Sequence, residues 1–279
     1  MRYDPSRRAL YHPEDQGPVF GAPGSWTRDA LCAELSRLAY IRFEDDPETL
    51  RQALGQGGFA APALFVDAAE DAQGYGTVGP DGTVYVIFRG TQADSTKDVV
   101  ADAEVVPVSW PGGGRVHRGF RDAENALSEP VEAWLARLGG AAPVVTGHSL
   151  GAAMATLLAA RVRGADLVTF GSPRVGSTEF AASFAGRNVR RYVDCCDMVT
   201  TLPPNVGYKH LEGERYIDRS GRVQSQPPGG LERIRDRSLA ALTYLRRCSG
   251  RPGNVAVRDL ADHAPINYVS ALLGVRQGP

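Results

Sequence analysis

The chain has 279 residues, a formal net charge of −1, 43% hydrophobic and 23% charged residues. That is the composition of an ordinary globular protein with a sizeable core. It excludes a strongly basic nucleic-acid binder and offers no field that would draw the chain to an anionic surface as a whole. The sequence holds no uninterrupted apolar run long enough to span a bilayer,.

Residues 1–25 are polar and punctuated by Pro and Gly, and read as an extended N-terminal arm,. They contain no apolar h-region, which sets the expectation of a cytoplasmic protein,. A helix is predicted from Thr27 to Tyr40, with Leu31, Leu35 and Leu38 at helical spacing,. Short apolar runs follow at Ala63 to Val66, Tyr75 to Val78 and Thr83 to Phe88. Between the last two, Gly79-Pro80-Asp81-Gly82 has the residues of a hairpin turn, so the sheet is expected to begin antiparallel,. Phe120, Leu127, Val131, Trp134, Leu135 and Leu138 form one stripe on a helix that stops at Gly139-Gly140,.

Beyond that point strands and helices alternate. The order is strand Val144 to Thr146, helix Ala152 to Arg161, strand Leu167 to Phe170, helix Ser177 to Ala185 and strand Val189 to Val193. Such alternation implies right-handed βαβ units, a mostly parallel central sheet and helices on both faces. A charged helix over Leu231 to Arg247 and a final helix from Pro265 to Leu273 close the chain. No composition break marks a second domain, so 1–279 reads as one α/β domain,. Cys32, Cys195, Cys196 and Cys248 are too few and scattered for a disulfide scaffold, no CxxC pair suggests zinc, and the adjacent pair is expected to be packed at a strand end,. No cofactor is expected.

Gly147-His148-Ser149-Leu150-Gly151 lies between one of those strands and its helix. GxSxG in that context places a nucleophilic serine on a sharp strand-to-helix turn. With 32 glycines in the chain, a chance match somewhere is roughly a one-in-five event, so the context carries the reading. A serine hydroxyl needs a base to take its proton, and the base needs a third group to hold its tautomer. Of five histidines, His12 and His117 precede the serine and His148 points away from it inside the elbow; His210 and His263 are downstream, as the chain order of α/β-hydrolases demands,. Both stay open on order alone, with His263 favoured by its place in a loop feeding the last helix. Asp194 and Asp197 both follow the strand ending at Val193 and are alternative acids. The backbone N–H after the nucleophile, that of Leu150, is one expected oxyanion donor.

These residues resemble the class 3 lipase family, also called the fungal-type triacylglycerol lipase family. The motifs are Phe88-Arg89-Gly90-Thr91, Val116 to Phe120, Thr146 to Gly151, Phe170 to Gly176, Asp197 to Pro204, and Asp262-His263 with Tyr268. They recur in order over roughly residues 30 to 275, and six ordered matches are far more specific than one. The resemblance implies an α/β-hydrolase fold with a lid. It also implies a carboxylic ester hydrolase acting on acylglycerols or short-to-medium-chain esters, with phospholipase, acyltransferase or silent binding protein as alternatives. Ser149 would be the nucleophile, Asp197 the acid and His263 the base, with Thr91 the second oxyanion donor; His117 and His210 would be structural. The segment 92–114 would be the lid. Asp94, Lys97, Asp98 and Asp102 leave it a narrow apolar face, which implies at most transient contact with a lipid interface and a preference for soluble esters,. The segment 218–260 reads as an insertion before the catalytic histidine, either covering the acyl pocket or elaborating the surface. Oligomeric state is not legible.

Overall fold

The structure is a computed structural model and describes residues 1–91 and 106–278. Helices α1 (Arg7–Tyr11), α2 (Arg28–Leu38) and α3 (Pro47–Gln56) precede strands β1 (Ala63–Asp67), β2 (Ala72–Val78) and β3 (Val84–Phe88). Strands β4 (Pro107–Ser109) and β5 (Arg115–His117) then lead into the long helix α4 (Arg118–Arg137). The alternating part follows as β6 (Val144–His148), α5 (Leu150–Arg161), β7 (Asp166–Phe170), α6 (Thr178–Ala182) and β8 (Val189–Asp194). Strands β9 (Glu214–Ile217) and β10 (Val223–Gln224) and helices α7 (Gly230–Arg247), α8 (Arg258–Ala261) and α9 (Pro265–Leu272) complete the chain.

Eight strands form one sheet in the order β1-β2-β3-β6-β7-β8-β9-β10. The first two pairings are antiparallel, the next four parallel and the last antiparallel. The expected α/β-hydrolase architecture, a mostly parallel sheet between helices, is the one present. The reason is visible on single strands, where successive side chains point to opposite faces. On β3, Tyr85 and Ile87 join a core with Leu35 and Leu38 of α2 and Val269 of α9, whereas Val84, Val86 and Phe88 join the opposite core with Leu127 and Val131 of α4 and Leu157 of α5. Both faces are therefore apolar, and both are covered.

Local chemistry sets the boundaries. Thr27 caps α2 by accepting from the Ala30 N–H, and the predicted hairpin closes with Gly79 N–H donating to Thr83 O at 2.8 Å and Gly82 at a φ of +81°,. Helix α4 ends before Gly139 and Gly140 as expected, although Leu138 is the helix C-cap and exposed rather than part of the buried stripe. Helix α6 is shorter than the predicted 177–185.

The N-terminal segment differs from the extended arm expected. It contains α1 and is fastened to α2 by Arg37, which is 1% exposed and donates to the carbonyl oxygens of Pro13, Gln16 and Gly17 while paired with buried Glu34. A buried guanidinium must find acceptors, and backbone carbonyls of a Pro- and Gly-rich segment supply them. Of the lid expected over 92–114, residues 92–105 lie outside the described residues; the rest contains β4 and the buried Trp110.

Candidate active site

The carboxyl ends of β3, β6, β7 and β8 converge, and each delivers part of one constellation, as the crevice rule for parallel sheets requires. Strand β6 ends in the elbow. Ser149 sits at a φ of +59° and is one of two non-glycine residues with positive φ among the described residues. That backbone turns the chain from strand to helix within one residue. A Cβ on Gly147 would stand 2.3 Å from the Gly151 carbonyl oxygen, and one on Gly151 would stand 2.2 Å from that of Phe88. Both glycines of the motif are thus demanded by close backbone approach.

Ser149 Oγ lies 3.0 Å from His263 Nε2, and His263 Nδ1 lies 2.8 Å from Asp197 Oδ2. A carboxylate only accepts, so Nδ1 carries the ring proton and Nε2 is free to accept from the serine hydroxyl. That is the tautomer a general base for Ser149 needs. Asp197 is fully buried, which pushes its carboxyl upward, but the charge and hydrogen bond of His263 and the Tyr268 hydroxyl more than offset this and hold it below the usual carboxylate range,. The Val199 N–H and the Tyr268 hydroxyl donate to its two oxygens at 2.9 and 2.6 Å. Gly171, at the end of β7, carries a φ of +58°, and a Cβ there would come within 2.7 Å of Asp197 Oδ2. The Asp197 carboxylate and the His263 ring pack directly on this residue.

The alternatives left by chain order separate in space. His210 Nε2 donates to Thr200 O at 2.7 Å, in the loop after Asp197. Its pKa is pushed down to about 3 by burial and by Arg191, and it holds that loop rather than the serine. Asp194 accepts from Arg276 and from the Cys195 N–H. His117 stacks on Phe120 at 4.3 Å between centroids. Ser149, His263 and Asp197 are brought together; His210, His117 and Asp194 are placed elsewhere.

The oxyanion candidates lie at two element ends. Leu150 opens α5, whose first N–H groups have no intrahelical acceptor and no side-chain cap,. Thr91 follows β3, where Arg89 anchors the chain by a two-pronged pair with Glu44 at 2.8 and 2.9 Å. Thr91 Oγ1 is buried without a hydrogen-bond partner among the described residues. A Cβ on the preceding Gly90 would lie 3.1 Å from that of Ser149, so this backbone runs against the nucleophile.

Two residues have roles here that sequence reasoning did not assign. His148 points away from Ser149, as expected, but its Nε2 donates to the His263 carbonyl oxygen at 2.8 Å and its Nδ1 accepts from the Tyr40 hydroxyl at 2.8 Å. Burial and the neighbouring His263 hold its pKa well below the ordinary histidine value, so it stays neutral. Tyr268, quoted only as part of a motif, accepts from the Asp194 N–H and donates to Asp197. Neither contact has a signal in sequence spacing, since the partners are 115 and 71 residues apart.

Below the triad, Asp262 accepts from Tyr3 at 2.6 Å, from Arg258 at 3.1 Å and from the Cys196 N–H at 3.1 Å. The two terminal segments thereby grip the loop of His263. Cys195 and Cys196 are buried free thiols just past β8, as expected. With Asp262 they form the one potential metal-binding group among the described residues. Arg258 and Arg276 already occupy that carboxylate, so a cation would meet two guanidinium groups there,.

Comparison with known proteins finds lipases among the relatives of this chain. The family model "Lipase (class 3)" matches residues 85–207. A lipase of Rhizomucor miehei is 38% identical over 152 residues, covering 48% of this chain and 41% of the relative. A secreted mono- and diacylglycerol lipase of Fusarium solani is 40% identical over 118 residues, covering 38% of this chain and 35% of the relative. The chain therefore spans less than half the length of both. The solved structure of a Rhizomucor miehei lipase propeptide complex superposes with a TM-score of 0.56 at 26% identity over 67% of this chain and 66% of that one. The Fusarium relative is named as secreted, and this overturns the cytoplasmic placement expected from residues 1–25. A missing apolar run is a negative observation about those residues alone and carries no address.

Proposed function

We propose that this chain, matched over residues 85–207 by the class 3 lipase family model, is a member of that family and a carboxylic ester hydrolase acting on acylglycerols or short-to-medium-chain esters through an acyl-enzyme. The observation that carries this reading is the unbroken hydrogen-bond line from Ser149 Oγ through His263 to Asp197 on a strand-to-helix elbow. In the proposed sequence His263 Nε2 takes the Ser149 proton as Oγ attacks the ester carbonyl, and Asp197 stabilises the imidazolium. The Leu150 N–H and Thr91 hold the resulting oxyanion, donors of a kind worth ~3 to 4 kcal/mol of barrier each. His263 then protonates the leaving alcohol, and a water that it deprotonates releases the acid. By likeness to the secreted Fusarium relative, this chemistry takes place outside the cytoplasm; fractionating the source cells and finding the activity in the cytosol would refute that placement.

A fluorophosphonate probe should label the protein, and Ser149→Ala should abolish both labelling and ester hydrolysis. A folded protein that never labels would end the enzyme reading. Hydrolysis rates over p-nitrophenyl esters of increasing chain length, compared with emulsified acylglycerols, then identify the ester class.

A further inference from the structure

Helix α7, within the 218–260 insertion, carries the least expected surface on the molecule. Ten large apolar side chains are exposed among the described residues, and five of them, Leu231, Ile234, Leu239, Leu242 and Leu245, belong to this one helix. At 3.6 residues per turn, Leu231, Ile234, Leu242 and Leu245 fall within an arc of about 80° and run some ~21 Å along the axis. The opposite side is the one that packs: Ala240 is fully buried, and Tyr244 is buried with its hydroxyl donating to Val255 O. The helix thus has a seated face of its own and a second, apolar face turned to solvent.

The basic residues of α7 fall into two sets. Arg233 and Arg237 are spoken for, paired with Glu214 and Asp259. Arg235 and Arg246 flank the apolar arc on one side, and with Arg247 they are exposed and form no ion pair among the described residues. A protein of net charge −1 therefore presents, on this helix, an apolar stripe edged by free guanidinium groups. Stripe and charge together match a surface with an acyl interior and anionic headgroups. A protein partner that merely covered the leucines would leave the arginines unexplained. The Arg237–Asp259 pair also joins α7 to α8, four residues before His263, so the helix is fastened near the loop of His263.

We propose that the exposed face of α7 docks the protein on an anionic lipid–water surface, a partner whose choice rests on the lipid-ester reading above. Interfacial contact, expected to be weak and to lie on 92–114, is thereby assigned to the insertion. Docking through α7 requires no apolar face on the segment after Thr91.

The test is co-sedimentation with phosphatidylcholine vesicles with and without phosphatidylglycerol, using the wild type, Leu242→Gln/Leu245→Gln and Arg235→Glu/Arg246→Glu. The wild type should bind the anionic vesicles, and added salt should weaken that binding. Each double variant should bind on the order of tenfold more weakly, while hydrolysing p-nitrophenyl butyrate at the wild-type rate, which shows that fold and site are intact. Ser149→Ala should bind like the wild type, so a failure of the hydrolase reading shows in hydrolysis and a failure of docking shows in sedimentation. Wild-type protein that stays in the supernatant, or variants that sediment equally, would overturn the proposal. So would a wild-type dimer that the leucine variant converts to a monomer without any change in vesicle binding, because the stripe would then be a contact between two copies.

Discussion

His148 holds His263 by its backbone. The His148 Nε2–H donates to the His263 carbonyl oxygen at 2.8 Å, the two rings lie 4.4 Å apart, and the Tyr40 hydroxyl fixes the tautomer from the other side. The residue preceding Ser149 in sequence thus helps to hold the His263 ring above it.

His148→Leu takes from the buried His263 carbonyl the ring N–H that it accepts from, a loss of about 1 to 3 kcal/mol,. The expected result is a fall in kcat of roughly 10- to 100-fold on a soluble ester with KM little changed, because positioning of the base is lost and substrate contact is not. Steady-state kinetics on p-nitrophenyl butyrate decide it; an unchanged kcat in a folded variant would rule out the positioning role.

Tyr268→Phe removes the hydroxyl that donates to Asp197 at 2.6 Å. A hydrogen bond to a charged group contributes about 1.5 to 3 kcal/mol, so kcat/KM at neutral pH should drop by about tenfold or more. Asp197 is held below the usual carboxylate range partly by this hydroxyl. A carboxylate with a depressed folded pKa stabilises the fold above its unfolded value and ceases to do so as pH falls through the folded one. The variant should therefore lose activity at a higher pH on the acid side than the wild type. Superimposable acid limbs would contradict this.

Histidines held neutral set a second pH dependence. His148 and His210 both titrate below the ordinary value of 6.5 in the folded chain, through burial first, then through the charge of His263 and of Arg191 respectively. Unfolded, each takes a proton near 6.5, so their contribution is complete above that pH and is lost as pH falls below it. The slope is about 1.4 kcal/mol per pH unit for each histidine. Urea unfolding at a series of pH values from 7.5 downward, at order-of-magnitude spacing in proton activity, should show stability falling, and His210→Gln should flatten the fall by about one proton. A fall of the same steepness in the variant would exclude His210 as its source.

Arg37→Met should destabilise the fold by about 3 to 5 kcal/mol, because Glu34 is 0% exposed and would be left as a buried charge without its partner,. The carbonyls of Pro13, Gln16 and Gly17 lose their donor at the same time. Chemical denaturation gives the magnitude, and limited proteolysis should open the first twenty or so residues before the rest. Equal midpoints for variant and wild type would mean that the N-terminal segment is held by other contacts.

Periodicity read the central strands well because a strand buried on both faces must be apolar throughout, and Val144, Val145, Leu167 and Val168 are,. It read the elbow because Gly147 and Gly151 stand where no Cβ fits. It failed on residues 1–25, since the feature that folds them is a charged pair on α2, and no local pattern in a Pro- and Gly-rich stretch announces a distant guanidinium. Nor does periodicity tell the outward leucines of α7 from inward ones, since an apolar stripe looks the same whether it faces a core or solvent.

Sequence by itself determined the alternation of strands and helices from β6 to β8, the elbow serine and the short set of histidines and aspartates able to serve it, because these follow from local backbone chemistry and residue type. Tertiary structure decided which of them meet: His263 rather than His210, Asp197 rather than Asp194, and His148 and Tyr268 as their supports. That choice depends on where the ends of β3, β6, β7 and β8 converge, and hydrogen bonds that act over about 3 Å cannot be read from residues more than sixty positions apart.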